Sequence, residues 1–255
     1  MLSFRENVGL LLITCVLSLA FTLVLNRVWP REKRPNQNDL IGWQLSILGT
    51  TYAVILGFML YAVWNEFGSA TLNADLEASS LRNVYRLASG LPVAQKGELQ
   101  SEAKAYAAAV VNDDWPAMAQ GRLPDASHEI NEQMWATLMS VKGSSTSENT
   151  AEDHAISELS AMTTYRRTRL VQSTHRLPAI LWCVLMVGGL LTFLSVNIFN
   201  TVSPRLHIFQ VFSFTLLIAL VMLAISDVNR PFMGWVHVSS YPFVRAQDTM
   251  RSAGD

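Results

Sequence analysis

The sequence contains few charged residues for its length, and this scarcity argues against a soluble protein. Only 15% of the 255 residues are Asp, Glu, Lys or Arg, whereas 50% are hydrophobic. Ordinary soluble domains carry about 25% charged residues. The hydrophobic residues are gathered in blocks, so we interpret the chain as a membrane protein. The formal net charge of −1 provides no strong positive field, and no nucleic-acid partner is expected.

Cysteine is scarce in the sequence, and the usual catalytic motifs are absent. The two cysteines, Cys15 and Cys183, both lie in apolar stretches, and neither has the paired spacing of a metal or redox site. There is no GxSxG elbow, phosphate-binding loop, GxGxxG or HExxH motif. We therefore predict no disulfide, no enzyme activity, no catalytic residue, no cofactor and no metal. Asp113 and Asp114, beside Trp115, are interpreted as a solvated turn.

Four apolar runs are long enough to cross a lipid bilayer as helices, which takes about 18 or more residues. Their interiors contain no Lys, Arg, Asp or Glu, which argues against an ion-coupled transporter. The runs are Val8 to Val28, Ile41 to Trp64, Pro178 to Phe199 and Leu206 to Ser226. The fold class predicted is an all-α polytopic membrane protein with four transmembrane helices.

A polar insert separates spans two and three and is too long for a simple loop. The predicted parts are residues 1–64 with spans one and two, the extramembrane insert 65–177, residues 178–227 with spans three and four, and the C-terminal segment 228–255. The insert is expected to be helical throughout, because apolar residues recur at helical spacing. The positive-inside rule does not decide the orientation of the spans, because arginines flank the spans on both sides of the membrane.

Within the insert, the first helix is expected to continue directly from span two, because no proline occurs between Asn65 and Ala88. A second helix is predicted from Val93 to Asp113, ended by Trp115 and Pro116. The stretch from Gly143 to Glu152 has no large apolar residue and is predicted to be a surface loop.

Span two has two distinctive faces. Gly49, Ala53 and Gly57 repeat every four residues and form a helix-packing face, which is expected to lie against the protein's own subunit. The roughly opposite face contains a second set of residues, namely Thr51, Ile55, Phe58 and Ala62. This second face either meets lipid or span three, or it lines a pore in which apolar side chains gate by excluding water.

The residues around this span resemble those of a known family. The run Val54 to Phe58 resembles the Leu-Gly-Phe segment of the pore-lining second helix in bestrophins, and the segment Asp227 to Gly234 resembles the Asn-Pro-Phe-Gly segment after their last span. The match is closer to bacterial bestrophin-like membrane proteins, through Glu77-Ala78-Ser-Ser-Leu81, Trp115-Pro116 and Pro178 with Trp182. The resemblance covers the chain from about Gly49 to Phe243.

This resemblance implies an oligomer, a homo-pentamer, that conducts small inorganic anions through a central pore. It also implies a multi-pass protein of the bacterial inner membrane, with the insert in the cytoplasm and the lipid bilayer as its surroundings. In register with Leu-Gly-Phe, the pore-lining residues would be Thr50, Val54 and Phe58, with Thr51 and Ile55 as neighbouring alternatives. The acidic run that binds calcium in bestrophins is replaced by Trp235-Val-His-Val, so no calcium site is expected.

The function predicted is therefore passive conduction of small, chloride-like anions through a pore lined by span two. The alternative is a non-conducting membrane scaffold or sensor whose helical insert binds a cytoplasmic partner. Planar-bilayer recordings separate the two, because the alternative predicts no conductance at any voltage.

Overall fold

The structure, a computed structural model, describes residues 4–30, 33–34, 37–200 and 203–252, and these are almost entirely helical without any strand. The α-helices are α1 Phe4–Val28, α2 Asn38–Leu87, α3 Val93–Ala109, α4 Trp115–Ala119, α5 Ala126–Met139, α6 Thr146–Thr174, α7 Ala179–Ile198, α8 Pro204–Val228 and α9 Tyr241–Ser252. A short 3₁₀ turn, Ala88–Gly90, follows α2, and a π-turn, Val110–Asp114, follows α3.

The chain divides into two compact units. The membrane unit comprises Met1–Asn65 and Arg176–Asn229, and the insert unit comprises Glu66–His175 and Arg230–Asp255. Among the described residues, four helices are long and apolar enough to cross a membrane, and each overlaps one of the four predicted spans. These helical segments are Val8–Val28, Asn38–Gly90, Ala179–Ile198 and Pro204–Val228.

Buried polar side chains join the helices of the membrane unit. The hydroxyls of Ser18 on α1 and Thr215 on α8 lie 2.8 Å apart. Thr22 on α1 donates to Asn197 Oδ1 on α7 at 2.8 Å, and both side chains are fully buried. Polar groups in hydrocarbon require partners inside the protein, so these bonds specify which helices pack together.

The insert unit has a continuous apolar core. The inner part of α2 contributes small residues at a spacing of four, Ala70, Ala74 and Ala78, which let neighbouring helices approach closely. Helices α3, α5 and α6 contribute larger side chains such as Leu99, Leu138 and Leu159. As expected from the sequence, α2 is one helix of 50 residues that continues past the end of span two.

The C-terminal segment is part of this core. Phe243, Ala246 and Met250 of α9 are buried, and the Tyr85 hydroxyl donates to the Met250 carbonyl oxygen at 3.0 Å. The spacing of these three residues by three and four positions is the pattern of an amphipathic helix. This spacing is the sequence signal for α9, for which no helix was predicted in the C-terminal segment 228–255.

The predicted loop from Gly143 to Glu152 is wrong from Thr146 onward, because α6 begins at that residue. Ser145 caps the helix by accepting a hydrogen bond from the Glu148 amide at 3.2 Å. The Glu148 carboxylate accepts in turn from the Ser144 amide at 2.7 Å. This reciprocal arrangement resembles a capping box and compensates for the lack of large apolar residues in the first turn.

The predicted end of the second insert helix at Trp115 and Pro116 is also wrong. The chain passes from α3 through the π-turn directly into α4, and Pro116 lies within the first turn of α4. Proline has no amide hydrogen to donate, and Pro116 lies next to the point where the hydrogen-bond ladder changes from the π-turn to α4. The π-turn adds a residue to the helical ladder and directs Asp114 into the core, where it is fully buried.

Candidate functional site

One face of the membrane-spanning part of α2 packs within its own subunit. Tyr52, Leu56 and Val63 are 5%, 8% and 3% exposed. The Tyr52 hydroxyl donates to the Leu185 carbonyl oxygen of α7 at 2.9 Å. A Cβ atom added at Gly188 would lie 2.6 Å from the Tyr52 ring, so the ring requires glycine at this position. This contact fixes the rotation of α2 about its own axis.

The face of α2 directed away from its own subunit carries Thr50, Val54 and Phe58. All three are exposed, with Val54 at 53% and Phe58 at 66%. With 3.6 residues per turn, the centre of this stripe lies about 180° from the Tyr52, Leu56 and Val63 face. We call these three residues the outward stripe.

The alternative residues from the helical wheel lie to one side of the outward stripe. Thr51 and Ala62 are exposed, and Ile55 is half-buried. In the single subunit, the outward stripe therefore faces away from the subunit more directly than Thr51, Ile55 and Ala62 do. The outward stripe is the set of residues in register with Leu-Gly-Phe.

The prediction that Gly49, Ala53 and Gly57 pack on the protein's own subunit is wrong. A Cβ atom added at Gly49 or Gly57 would meet no other heavy atom within 4 Å, and Ala53 is exposed. Within the subunit, the large side chain of Tyr52 on α2 packs against glycines of α7. The small residues of this contact therefore belong to α7 and not to α2. The small face of α2 flanks the outward stripe and is open in the single subunit.

A second candidate region is a buried ionic cluster in the insert unit. Arg169 of α6 is fully buried and donates from Nε to Glu77 Oε2 at 2.7 Å and from Nη2 to Glu77 Oε1 at 2.9 Å. Its Nη2 also lies 3.3 Å from Asp114 Oδ2. The guanidinium carbon is 5.3 Å from the centre of the Trp115 ring. Arg169 thus joins α2, α6 and the π-turn through one side chain.

The surrounding hydrogen bonds maintain the charges of this cluster. The Tyr106 hydroxyl donates to Glu77 Oε1 at 2.7 Å. Burial, and then the negative charge of Glu77, raise the pKa of Tyr106 well above its usual range, so the hydroxyl keeps its proton. Burial lowers the pKa of Arg169, but the charge and hydrogen bonds of Glu77 outweigh it, and the pKa is raised overall.

The interpretation of Asp114 as part of a solvated turn is wrong, although Asp113 is exposed. Asp114 accepts from the Ser127 hydroxyl at 2.6 Å and from Arg169. The sequence carried no local signal for this, because the partners lie 13 and 55 residues away along the chain. Among the residues that the structure describes, no group of three or more His, Cys, Asp and Glu side chains is placed to hold a metal ion.

Comparison with protein families identifies the family of the chain. The Bestrophin-like domain family matches residues 12–243, which include most of the four spans and the whole insert. The chain belongs to the Bestrophin-like family. A search of curated proteins found no match.

Solved structures show the same fold as this Bestrophin-like chain. A crystal structure of a bacterial bestrophin homologue from Klebsiella pneumoniae carrying a point mutation is 13% identical, with a TM-score of 0.66 over 95% of this chain and 96% of that one. Another, of a bacterial bestrophin homologue from Klebsiella pneumoniae phased on zinc, is 14% identical, with a TM-score of 0.64 over 94% of this chain and 95% of that one. At this level of identity the likeness establishes the fold.

Proposed function

We propose that this Bestrophin-like protein is an oligomeric channel that conducts small inorganic anions passively across a bacterial inner membrane. The observation that carries the proposal is the outward stripe. Thr50, Val54 and Phe58 are exposed on the side of α2 opposite its own-subunit contact. In a ring of subunits, stripes from all copies would face a common axis and form a pore.

The chemistry of the stripe supports a narrow apolar constriction. A ring of Val54 and Phe58 side chains would exclude water, because an ion entering it loses hydration without receiving replacement ligands. The span interiors contain no Asp, Glu, Lys or Arg, so no ring of charged side chains within the spans selects the sign of the ion. The proposal of anions as the conducted species therefore rests on the resemblance to bestrophins.

The proposed oligomeric state and membrane topology follow from the resemblance to bestrophins. We propose a homo-pentamer in which residues 1–64 and 178–227 form the membrane part and the helical insert 65–177 lies in the cytoplasm. The C-terminal segment 228–255 follows, and its helix α9 packs on the insert. Pore-lining roles are proposed for Thr50, Val54 and Phe58 first, with Thr51, Ile55 and Ala62 as flanking positions. No enzymatic step is proposed.

Recordings from the purified protein in planar lipid bilayers test the function. We expect a passive current carried by chloride, identified by the shift of reversal potential in a chloride gradient. A complete absence of current at every voltage, from correctly assembled protein, would instead favour the scaffold or sensor function.

The open small face of α2 leads to a prediction on assembly. Gly57→Leu adds a side chain where the single subunit has open space, so the fold of each subunit should be preserved. If neighbouring copies pack closely on this face, the leucine forces their helices apart, and the oligomer should dissociate in detergent. The mass of the protein, measured by light scattering, checks this result.

Gly68→Leu is the matched control, because Gly68 lies on the same helix and a Cβ there also meets nothing within 4 Å. Its oligomer mass should equal that of the wild type. An unchanged mass in Gly57→Leu would show that the small face does not contribute to contacts between copies.

A further inference from the structure

Arg166 of α6 is a nearly buried cation that lacks a carboxylate partner. Its exposed fraction is 8%, and its Nε donates to the Ser127 hydroxyl oxygen at 3.0 Å. In the part of the chain that the structure describes, the ion pairs of the insert belong to Arg169 rather than to Arg166. Removing a charge from water is costly unless it is paired, so the surroundings of this side chain require an explanation.

The neighbouring carboxylates are already bound elsewhere. Glu77 accepts from Arg169 through both oxygens and also from Tyr106. Asp114 Oδ2 accepts from Ser127 and Arg169, and its Oδ1 accepts from the Ser127 amide at 3.4 Å. The hydroxyl of Ser127 therefore bridges the Nε of Arg166 and the carboxylate of Asp114.

The terminal nitrogens of Arg166 remain available for a ligand. They have no hydrogen-bond partner among the described residues, yet the only fully buried side-chain nitrogen or oxygen without a partner in that part of the chain is Glu102 Oε2. The terminal nitrogens therefore keep some contact with solvent. A guanidinium offers five N–H donors, of which Nε uses one here.

We propose that Arg166 binds a halide-sized anion from the aqueous phase, beside the first turn of α5 where Ser127 lies. The positive end of the α5 dipole adds to the attraction. The low exposure of Arg166 favours a compact ion over a large organic anion. Because Asp114 lies behind Ser127 and repels the ion, we expect affinity in the millimolar range. This site is independent of the pore, so it can exist whether or not the protein conducts.

Thermal unfolding of the full-length protein in detergent tests the site. Potassium bromide replaces potassium gluconate at constant ionic strength, so that the anion changes while the cation and the ionic strength do not. We expect the Tm of the wild type to rise and saturate, by about 2–4 °C, because the ion binds the folded state. Arg166→Gln should abolish this rise. Arg167→Gln, which changes the exposed neighbour on the same helix, should retain it.

Bromide anomalous scattering from crystals of the wild type provides a second measurement that does not depend on folding of the variant. We expect a peak at hydrogen-bond distance from the terminal nitrogens of Arg166. The absence of that peak at saturating bromide overturns the proposal. Equal bromide-dependent increases in the Tm of Arg166→Gln and Arg167→Gln overturn it as well.

Discussion

Phe58→Ala is expected to increase the basal current several-fold and to weaken discrimination between anions of different size. Phe58 is the largest side chain of the outward stripe and is 66% exposed in the subunit. Its truncation would widen and wet the proposed constriction, which lowers the cost of moving a hydrated ion through it. The variant should fold and assemble normally, because Phe58 is exposed in the single subunit and does not belong to the small face of α2. Single-channel recordings with chloride and larger anions measure both effects.

Phe209→Ala is the matched control for this experiment. Phe209 lies on α8, another membrane-spanning helix, and is also 66% exposed. Its truncation removes the same aromatic volume from a position that is not on α2, so conductance and selectivity should not change. If Phe58→Ala assembles correctly and has the conductance, selectivity and open probability of the wild type, Phe58 does not line the pore.

Glu77→Gln is expected to destabilise the insert by about 3–5 kcal/mol, because it removes one partner of a buried ion pair and leaves the other charged. Arg169 is fully buried, and Glu77 provides both of its closest contacts to a carboxylate. Since Arg169 cannot release its proton at ordinary pH, the cost cannot be avoided by neutralisation. The midpoint of thermal or denaturant unfolding, followed by circular dichroism, measures this effect.

Two further variants identify the cause of that destabilisation. Asp75→Asn removes an exposed carboxylate from the same helix and should leave the midpoint nearly unchanged. The triple variant Glu77→Leu, Asp114→Asn and Arg169→Met removes all three charges of the cluster and should recover much of the lost stability, because uncharged residues of similar volume can replace a buried ionic cluster. Equal midpoints for Glu77→Gln and Asp75→Asn would show that the pair contributes little.

The membrane spans could be predicted from sequence because hydrocarbon imposes a strong constraint. A helix in lipid must be long and free of charge, and this requirement is visible in local composition. The predicted span Pro178 to Phe199, for instance, agrees with α7 at Ala179–Ile198. The continuous α2 was predictable for a similar reason, since the residues after Trp64 contain no helix-breaking proline.

The rotation of α2 and the ionic cluster could not be predicted from local composition. A helical wheel shows which residues share a face, but it does not show which partner that face meets. The Tyr52 contact depends on glycines in α7, more than 130 residues away, which is why the small face of α2 was assigned to the wrong partner. Asp114 was misjudged because its burial depends on the π-turn and on Arg169.

Thiol labelling at the outward stripe tests most directly the claim that α2 lines an ion-conducting pore. In a background with Cys15→Ala and Cys183→Ala, Val54→Cys places one thiol on the stripe, and Val187→Cys places one on α7, where Val187 is 49% exposed. A charged, water-soluble methanethiosulfonate is added during planar-bilayer recording. We predict that it reacts with Val54→Cys and blocks the current, while the current of Val187→Cys persists. A current through Val54→Cys that is unaffected by the reagent, with the thiol still unreacted by mass spectrometry, would contradict a pore lined by α2.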